Sequence, residues 1–95
     1  MTKIVFSKVA LENLQEQALY IFEKTKSVQT ADAYLEKMRS FIVEILTMFP
    51  NSGRPTPELA LDTRKLVYQG FSIIYKVEDD QVQVLTIYRE NIPKL

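Results

Sequence analysis

Cysteine and histidine are both absent from this sequence of 95 residues. Their absence excludes disulfide bonds, thiol nucleophiles, imidazole acid–base catalysis and the usual zinc sites. Long apolar runs are absent too. The amino-terminal segment 1–6 is too short to be the apolar part of a signal peptide, and no later segment is long enough to cross a bilayer. We therefore expect a cytoplasmic protein that contacts no membrane and carries no metal or other cofactor.

The chain also has no excess of charge of either sign, because 12 Lys and Arg balance 12 Asp and Glu. Nucleic-acid-binding proteins usually carry a basic field, since neutralising phosphates releases bound counterions. The balance counts against docking on ribosomal RNA, and we expect no direct sequence-specific binding of nucleic acid. With 46% apolar residues in a short chain, one packed domain over residues 1–95 is predicted.

The chain begins with the pattern of a short strand followed by a helix. Residues 3–6 alternate weakly between polar and apolar. Ser7 is a suitable N-cap, because its hydroxyl can accept a hydrogen bond from a free N–H of the first helical turn. The helix is predicted to run to about Lys26. Its apolar face consists of Leu11, Leu14, Ala18, Ile21 and Phe22.

A second amphipathic helix gives the strongest periodic pattern in the chain. Ser27-Val28-Gln29 is predicted to connect the two helices, and Thr30 is predicted to cap the second one. Pro50 ends this helix, since the residue before a proline is pushed out of the α region. The short connection predicts an antiparallel helical hairpin. The apolar stripe of the second helix comprises Ala31, Tyr34, Met38, Phe41, Ile45 and Met48.

From Thr63 onward the apolar pattern has a period of two, as in strands. Gln69-Gly70 and Asp79-Asp80 predict two-residue hairpin turns, because Gly and Asp tolerate positive φ angles. The carboxylates of Glu78-Asp79-Asp80 therefore belong to a turn and not to a metal site. Counting outward from the turns pairs Tyr68 with Phe71, Leu66 with Ile73, Arg64 with Tyr75, Val77 with Val82, Tyr75 with Val84, Ile73 with Thr86 and Phe71 with Tyr88.

This register divides the predicted strands into two faces. The face expected to pack on the helices contains Leu66, Tyr68, Phe71, Ile73, Tyr75, Val77, Val82, Val84 and Tyr88. The opposite face contains Lys65, Val67, Ser72, Ile74, Lys76, Gln83, Leu85, Ile87 and Arg89. Because that face mixes cations with aliphatic residues, a partner is expected to cover it. The fold predicted is α+β, β-α-α-β-β-β, with a helical hairpin packed on a mainly antiparallel sheet.

Three segments together resemble a known superfamily. They are Pro50-Asn51-Ser52-Gly53-Arg54-Pro55, then Asp62-Thr63-Arg64-Lys65-Leu66, then Gly70-Phe71-Ser72-Ile73-Ile74-Tyr75-Lys76-Val77. In this order, after two amphipathic helices, they are similar to the ParE/RelE toxins of bacterial type II toxin–antitoxin systems. The resemblance covers the whole chain. The superfamily divides into ribosome-dependent ribonucleases and inhibitors of DNA gyrase.

The resemblance is closer to the ParE branch. RelE-type ribonucleases begin the middle strand with Gly-Tyr-Arg, and that arginine belongs to their catalytic set. This chain has Gly70-Phe71-Ser72, and a neutral serine cannot grip a phosphate as a guanidinium does. The cations that follow the last strand of those enzymes are missing from Glu90-Asn91-Ile92-Pro93. Phe71-Ser72-Ile73-Ile74-Tyr75, with Arg64 before it, instead fits the ParE pattern.

The ParE resemblance implies a toxin that binds DNA gyrase without catalysis and that a cognate antitoxin neutralises through an extended segment laid over apolar surface. Two alternatives stay open: a RelE-like mRNA endonuclease, and a non-toxic relative that only binds an antitoxin. The chain departs from the ParE pattern at its end. Arg89 stands where the toxicity-linked His-Gly-x-Arg-Asp-like tail of the family has its histidine.

No catalytic residue is predicted, and the candidate residues are ones that would bind a target or partner. Two of them also have a structural interpretation. Arg54 fits a solvated turn arginine equally well, and the placement of Arg64 opposite Tyr75 favours a role in tying the sheet edge to the helical hairpin. The full candidate set is Arg54, Arg64, Lys65, Ile74, Leu85, Ile87 and Arg89.

Overall fold

The computed structural model describes residues 2–89. Five strands form one sheet in the order β1-β5-β4-β3-β2, with β1 parallel to β5 and the other neighbours antiparallel. Two helices pack on this sheet, so the predicted α+β class and helical hairpin are confirmed. The elements are β1 (Lys3–Phe6), α1 (Lys8–Thr25), α2 (Val28–Met48), β2 (Arg54–Pro55), β3 (Thr63–Tyr68), β4 (Phe71–Val77) and β5 (Gln81–Arg89).

The start of α1 is as predicted, whereas the start of α2 is not. The Ser7 hydroxyl accepts a hydrogen bond from the Ala10 amide at 3.0 Å, as an N-cap does. Ser27 caps α2 in the same way, through the Thr30 amide at 3.1 Å, so the prediction that Thr30 is the cap is wrong. Lys26 adopts a left-handed conformation (φ 57°) directly after α1. Because this residue reverses the chain at once, Val28 and Gln29 already belong to α2.

The predicted register is confirmed for the first hairpin and for the start of the second. Gln69 and Gly70 form the turn of the first hairpin, with φ angles of 47° and 87°. Their positive sign is the one that a two-residue turn between twisted strands requires. The confirmed pairs are Tyr68 with Phe71, Leu66 with Ile73, Arg64 with Tyr75, Val77 with Val82, and Tyr75 with Val84.

A β-bulge then shifts the register of β5 by one residue. Tyr75 pairs with Val84 but Ile74 pairs with Thr86, so Leu85 is the extra residue. The Leu85 carbonyl accepts a hydrogen bond from the Ser7 hydroxyl at 2.8 Å, which satisfies this group outside the regular ladder. The predicted pairs of Ile73 with Thr86 and of Phe71 with Tyr88 are therefore wrong. The observed pairs are Ile73 with Ile87 and Phe71 with Arg89.

The bulge moves Ile87 and Arg89 to the side of the sheet that faces the helices, and Tyr88 to the other side, since side chains alternate along a strand. Ile87 is part of the hydrophobic core. The prediction that Ile87 and Arg89 lie on the outer face is wrong for this reason. The buried core comprises Ala10, Leu14, Met38, Ile42, Leu46, Phe71, Ile73, Tyr75, Val82, Val84 and Ile87.

Neither helix is long and apolar enough to span a bilayer, as judged over the part of the chain that the structure describes.

Candidate functional site

Arg64 and Tyr75 hold the segment after α2 against the sheet. These two residues are cross-strand neighbours on β3 and β4. The Arg64 guanidinium donates hydrogen bonds from Nη1 to the Gly53 carbonyl at 2.8 Å and to the Asn51 carbonyl at 3.2 Å. The buried Tyr75 hydroxyl accepts a hydrogen bond from the Gly53 amide at 2.8 Å. Arg64 therefore has a structural task, which is to fix the turn that follows the helical hairpin.

Only glycine fits at position 53 of this turn. A Cβ atom there would lie 2.6 Å from the Tyr75 hydroxyl oxygen and 2.8 Å from the Lys65 carbonyl oxygen. Both distances are well inside van der Waals contact, and the carbonyl belongs to rigid backbone. The next residue, Arg54, points into solvent and forms a 3.5 Å ion pair with the equally exposed Glu58. Such surface pairs add little stability, so Arg54 stays available for contacts with another molecule.

A second cluster surrounds Arg89 at the end of β5. Its guanidinium lies 5.2 Å from the ring centroid of Tyr20 on α1 and 5.6 Å from that of Phe71 on β4. The ring of Tyr34 meets Phe71 edge-on at 6.0 Å. Burial raises the pKa of the Tyr34 phenol above its usual value of 10.0, and the positive charge of Arg89 acts in the opposite direction. The cluster ties the end of the sheet to both helices through cation–π and ring contacts.

Two contributors to these arrangements do not stand out in the sequence. Tyr20 lies beside the predicted apolar face of α1, and its meeting with Arg89 depends on the bulge in β5. Asn13 on α1 accepts hydrogen bonds through Oδ1 from the Ile87 amide at 3.0 Å and the Thr86 hydroxyl at 3.1 Å. Asn13 thereby satisfies hydrogen-bond donors on the edge of β5 at positions that lie beyond the end of β1. A polar residue flanking an apolar helix face is the only signal for it, and that signal is common on exposed helices.

The outer sheet face carries less exposed apolar surface than predicted. Ile74 is 4% exposed and Ile87 is 1% exposed, so neither is available at the surface. Leu85 and Lys65 are half-buried, and Val67 alone of the predicted aliphatic patch is well exposed, at 58%. The seven candidate residues therefore do not form one site. The tail Glu90-Asn91-Ile92-Pro93 lies outside the described residues.

Exposed apolar side chains are instead concentrated on the helical hairpin. Leu19 in the second half of α1 is 60% exposed, and Val28 at the start of α2 is 61% exposed. We call residues 15–35, the end of the hairpin that contains the connection between the helices, its far half. Ala31 is the only buried residue there. The other exposed apolar residues of the two helices are Val9, Leu11, Tyr20, Phe22, Val43 and Met48.

This architecture defines a small α+β domain in which a helical hairpin covers a five-stranded sheet and a Gly-Arg-Pro turn is fastened to the third and fourth strands. The family described as the ParE toxin of type II toxin-antitoxin system, parDE, matches residues 4–91. The chain therefore belongs to the ParE toxin family of type II toxin–antitoxin systems. The resemblance drawn from the sequence, and the type II toxin that it implies, are confirmed at the level of the family.

A solved structure shares the fold. It is described as the chromosomal ParDE TA system from P. aeruginosa, and one of its chains superposes with a TM-score of 0.78 at 19% sequence identity. The match covers 96% of this chain and 98% of that chain. No curated protein sequence is significantly similar to this chain.

Proposed function

We propose that this toxin acts in the cytoplasm by binding DNA gyrase and blocking it without catalysing a reaction. Membership of the ParE family supports the proposal. Residue 72 is the observation that favours a gyrase inhibitor over a RelE-type ribonuclease. Ser72 stands where the resemblance to RelE-type ribonucleases would require an arginine, and it is fully buried. A buried neutral side chain offers no charge to a scissile phosphate.

The contacts of the strand arginines also support a binding function. Arg64 uses its guanidinium on the carbonyls of Asn51 and Gly53. Arg89 lies against the rings of Tyr20 and Phe71. Both cations therefore have structural partners within the chain, whereas a ribonuclease needs cations grouped around one phosphate in a shared cleft.

A cognate antitoxin neutralises the toxin in this proposal, and the helical hairpin is the surface that it covers. Leu19 and Val28 of the hairpin are exposed to solvent, whereas Ile74 and Ile87 of the sheet are buried. A partner segment with apolar residues at helical spacing would remove these side chains from water. The outer sheet face, which the sequence suggested for this contact, offers mainly Val67 and Tyr88.

Supercoiling by purified gyrase, with and without the purified chain, tests the proposal. We expect the chain to inhibit supercoiling and the protein encoded by the neighbouring gene to restore it. In parallel, primer extension on translated messages should show no codon-dependent cuts after induction of the chain. Cuts inside open reading frames would establish the RelE-like endonuclease instead. Inactivity in both assays, combined with tight binding of the neighbouring protein, would identify a non-toxic antitoxin-binding relative.

A further inference from the structure

The connection between β2 and β3 has a fixed shape because a pair of buried threonines closes it. The Thr56 amide donates to the Thr63 carbonyl at 2.9 Å, and the two hydroxyl oxygens are 2.7 Å apart. The Thr63 hydroxyl also lies 2.9 Å from the Ala60 carbonyl. Asp62 precedes Thr63 in a left-handed conformation with φ 62°. Since these bonds are buried or partly buried and satisfy the hydroxyl groups of both threonines, the loop is pre-organised.

This rigid loop displays an exposed apolar side chain at the wall of a partly apolar cleft. Leu61 is 82% exposed, which is more than any other large apolar residue of the described chain. Leu61 stands at the wall of a cleft of about 420 Å³, whose other apolar lining residues are Pro55, Pro57 and Val77. Asp62, Thr63 and Arg64 give the same cleft a polar part. We call residues 54–64, which contain the loop and most of the cleft, the β2–β3 corner. It thus contains both an apolar projection and a depression with apolar lining residues.

The β2–β3 corner also carries exposed charges of both signs. The Asp62 carboxylate lines the cleft and makes no hydrogen bond or ion pair with any residue between 2 and 89. Arg54 is exposed, and its ion pair with Glu58 is long at 3.5 Å. The β2–β3 corner therefore contains a carboxylate that has no partner among residues 2–89 and a guanidinium that is loosely paired.

We propose that the β2–β3 corner is a contact between two copies of this chain. Leu61 of each copy enters the cleft of the other, and Asp62 of each copy meets Arg54 of the other across a two-fold axis. An isologous contact needs a self-complementary patch, in which the projection and cation of one copy meet the depression and anion of the other. The contact is made by side chains, because Pro55 and Pro57 have no N–H with which to extend the sheet. It lies apart from the helical hairpin and does not depend on the proposed target.

Sedimentation velocity of the full chain over a concentration series measures this association. We expect a reversible monomer–dimer equilibrium. Leu61→Ser should raise its Kd about tenfold or more, because it removes a leucine side chain from an apolar cleft. Leu19→Ser is the matched control, since Leu19 is a comparably exposed leucine on the hairpin and should leave the Kd unchanged. Circular dichroism of each variant checks that the fold is retained.

The charged pair gives a second test. Arg54→Glu should weaken dimerisation, because it places a carboxylate opposite Asp62. Adding Asp62→Asn to the same chain should recover part of the loss, and asparagine tolerates the left-handed conformation at this position. A chain that is monomeric at all concentrations would overturn the proposal. Equal effects of Leu61→Ser and Leu19→Ser, or no recovery by Asp62→Asn, would overturn it as well. None of these readouts involves gyrase, so the two proposals succeed or fail separately.

Discussion

Gly53 and Tyr75 are 22 positions apart in the chain, and the Gly53 amide donates a buried 2.8 Å hydrogen bond to the Tyr75 hydroxyl. Arg64 completes this contact by donating to the Gly53 carbonyl. Both backbone groups of Gly53 are thus bound by side chains of the sheet. Gly53 is the residue at which the turn after the helical hairpin is held by both β3 and β4. This contact explains why the Pro-x-x-Gly-Arg-Pro segment has its glycine at this position.

Gly53→Ala should destabilise the fold by about 1–3 kcal/mol, because the added methyl group overpacks a site bounded by a backbone carbonyl. The free energy of unfolding from urea titration measures the effect. Gly70→Ala is the comparison, since a Cβ there meets no atom within 4 Å and the cost is only that of a positive φ angle. We expect Tyr75→Phe to make the cost of Gly53→Ala smaller, because it removes the nearest oxygen. Strictly additive costs would contradict this account.

The sequence predicts this fold well where the signal is local. Ser7 caps α1 because it precedes an amphipathic run, and the Gln69-Gly70 turn fixes the first hairpin through its positive φ angles. The start of α2 illustrates a limit, because Ser27 and Thr30 are both good caps. The choice between them depends on the left-handed Lys26, which no local pattern indicates.

The candidate site was harder to predict because its residues meet through long-range geometry. The bulge at Leu85 depends on a hydrogen bond from Ser7, 78 positions away. An alternating pattern does not reveal an extra residue, and one such residue turns Ile87 and Arg89 to the other face. The position of the turn correctly predicts that Arg64 lies opposite Tyr75. Strand register cannot predict the contacts of Arg64 with Asn51 and Gly53, because these residues lie outside the hairpin.

Met38→Asp should unfold the domain, because Met38 is fully buried in the core and an unpaired carboxylate there costs several kcal/mol, about the whole stability of a small domain. Phe41→Asp should also be strongly destabilising, though less so, since Phe41 is half-buried. Ser40→Asp, at an exposed position of the same helix, is the control. Thermal melts followed by circular dichroism measure all three, and a native melt for Met38→Asp would mean that α2 does not pack as described.

Alkaline pH should destabilise the chain partly through Tyr34. Its pKa is raised in the folded state by burial, so folding favours the protonated phenol. The corresponding stability is fully present below the unfolded pKa of about 10 and is lost as the pH rises through the folded pKa. Tyr34→Phe should therefore lessen the fall in stability above that pH. Arg89→Met should raise the Tyr34 pKa further, because it removes a cation, and the difference between tyrosine absorbance titrations with and without Tyr34→Phe reports that shift.

The proposed contact surface for the antitoxin is the helical hairpin. Leu19→Asp and Val28→Asp should each weaken binding of the protein from the neighbouring gene by about tenfold or more, because each puts a charge where an apolar contact is expected. Val67→Asp is the matched control, since Val67 has similar exposure but lies on the sheet. Titration calorimetry gives the three affinities.

Hydrogen exchange of the same complex locates the contact without a substitution. Amides in the far half of the hairpin, residues 15–35, should exchange more slowly once the partner is bound, because exposed helical turns open less often when covered. Amides of β3 around Val67 should change little. If Val67→Asp weakened binding most and β3 gained the protection, the antitoxin would lie on the outer sheet face, as the alternation of apolar and basic residues first suggested.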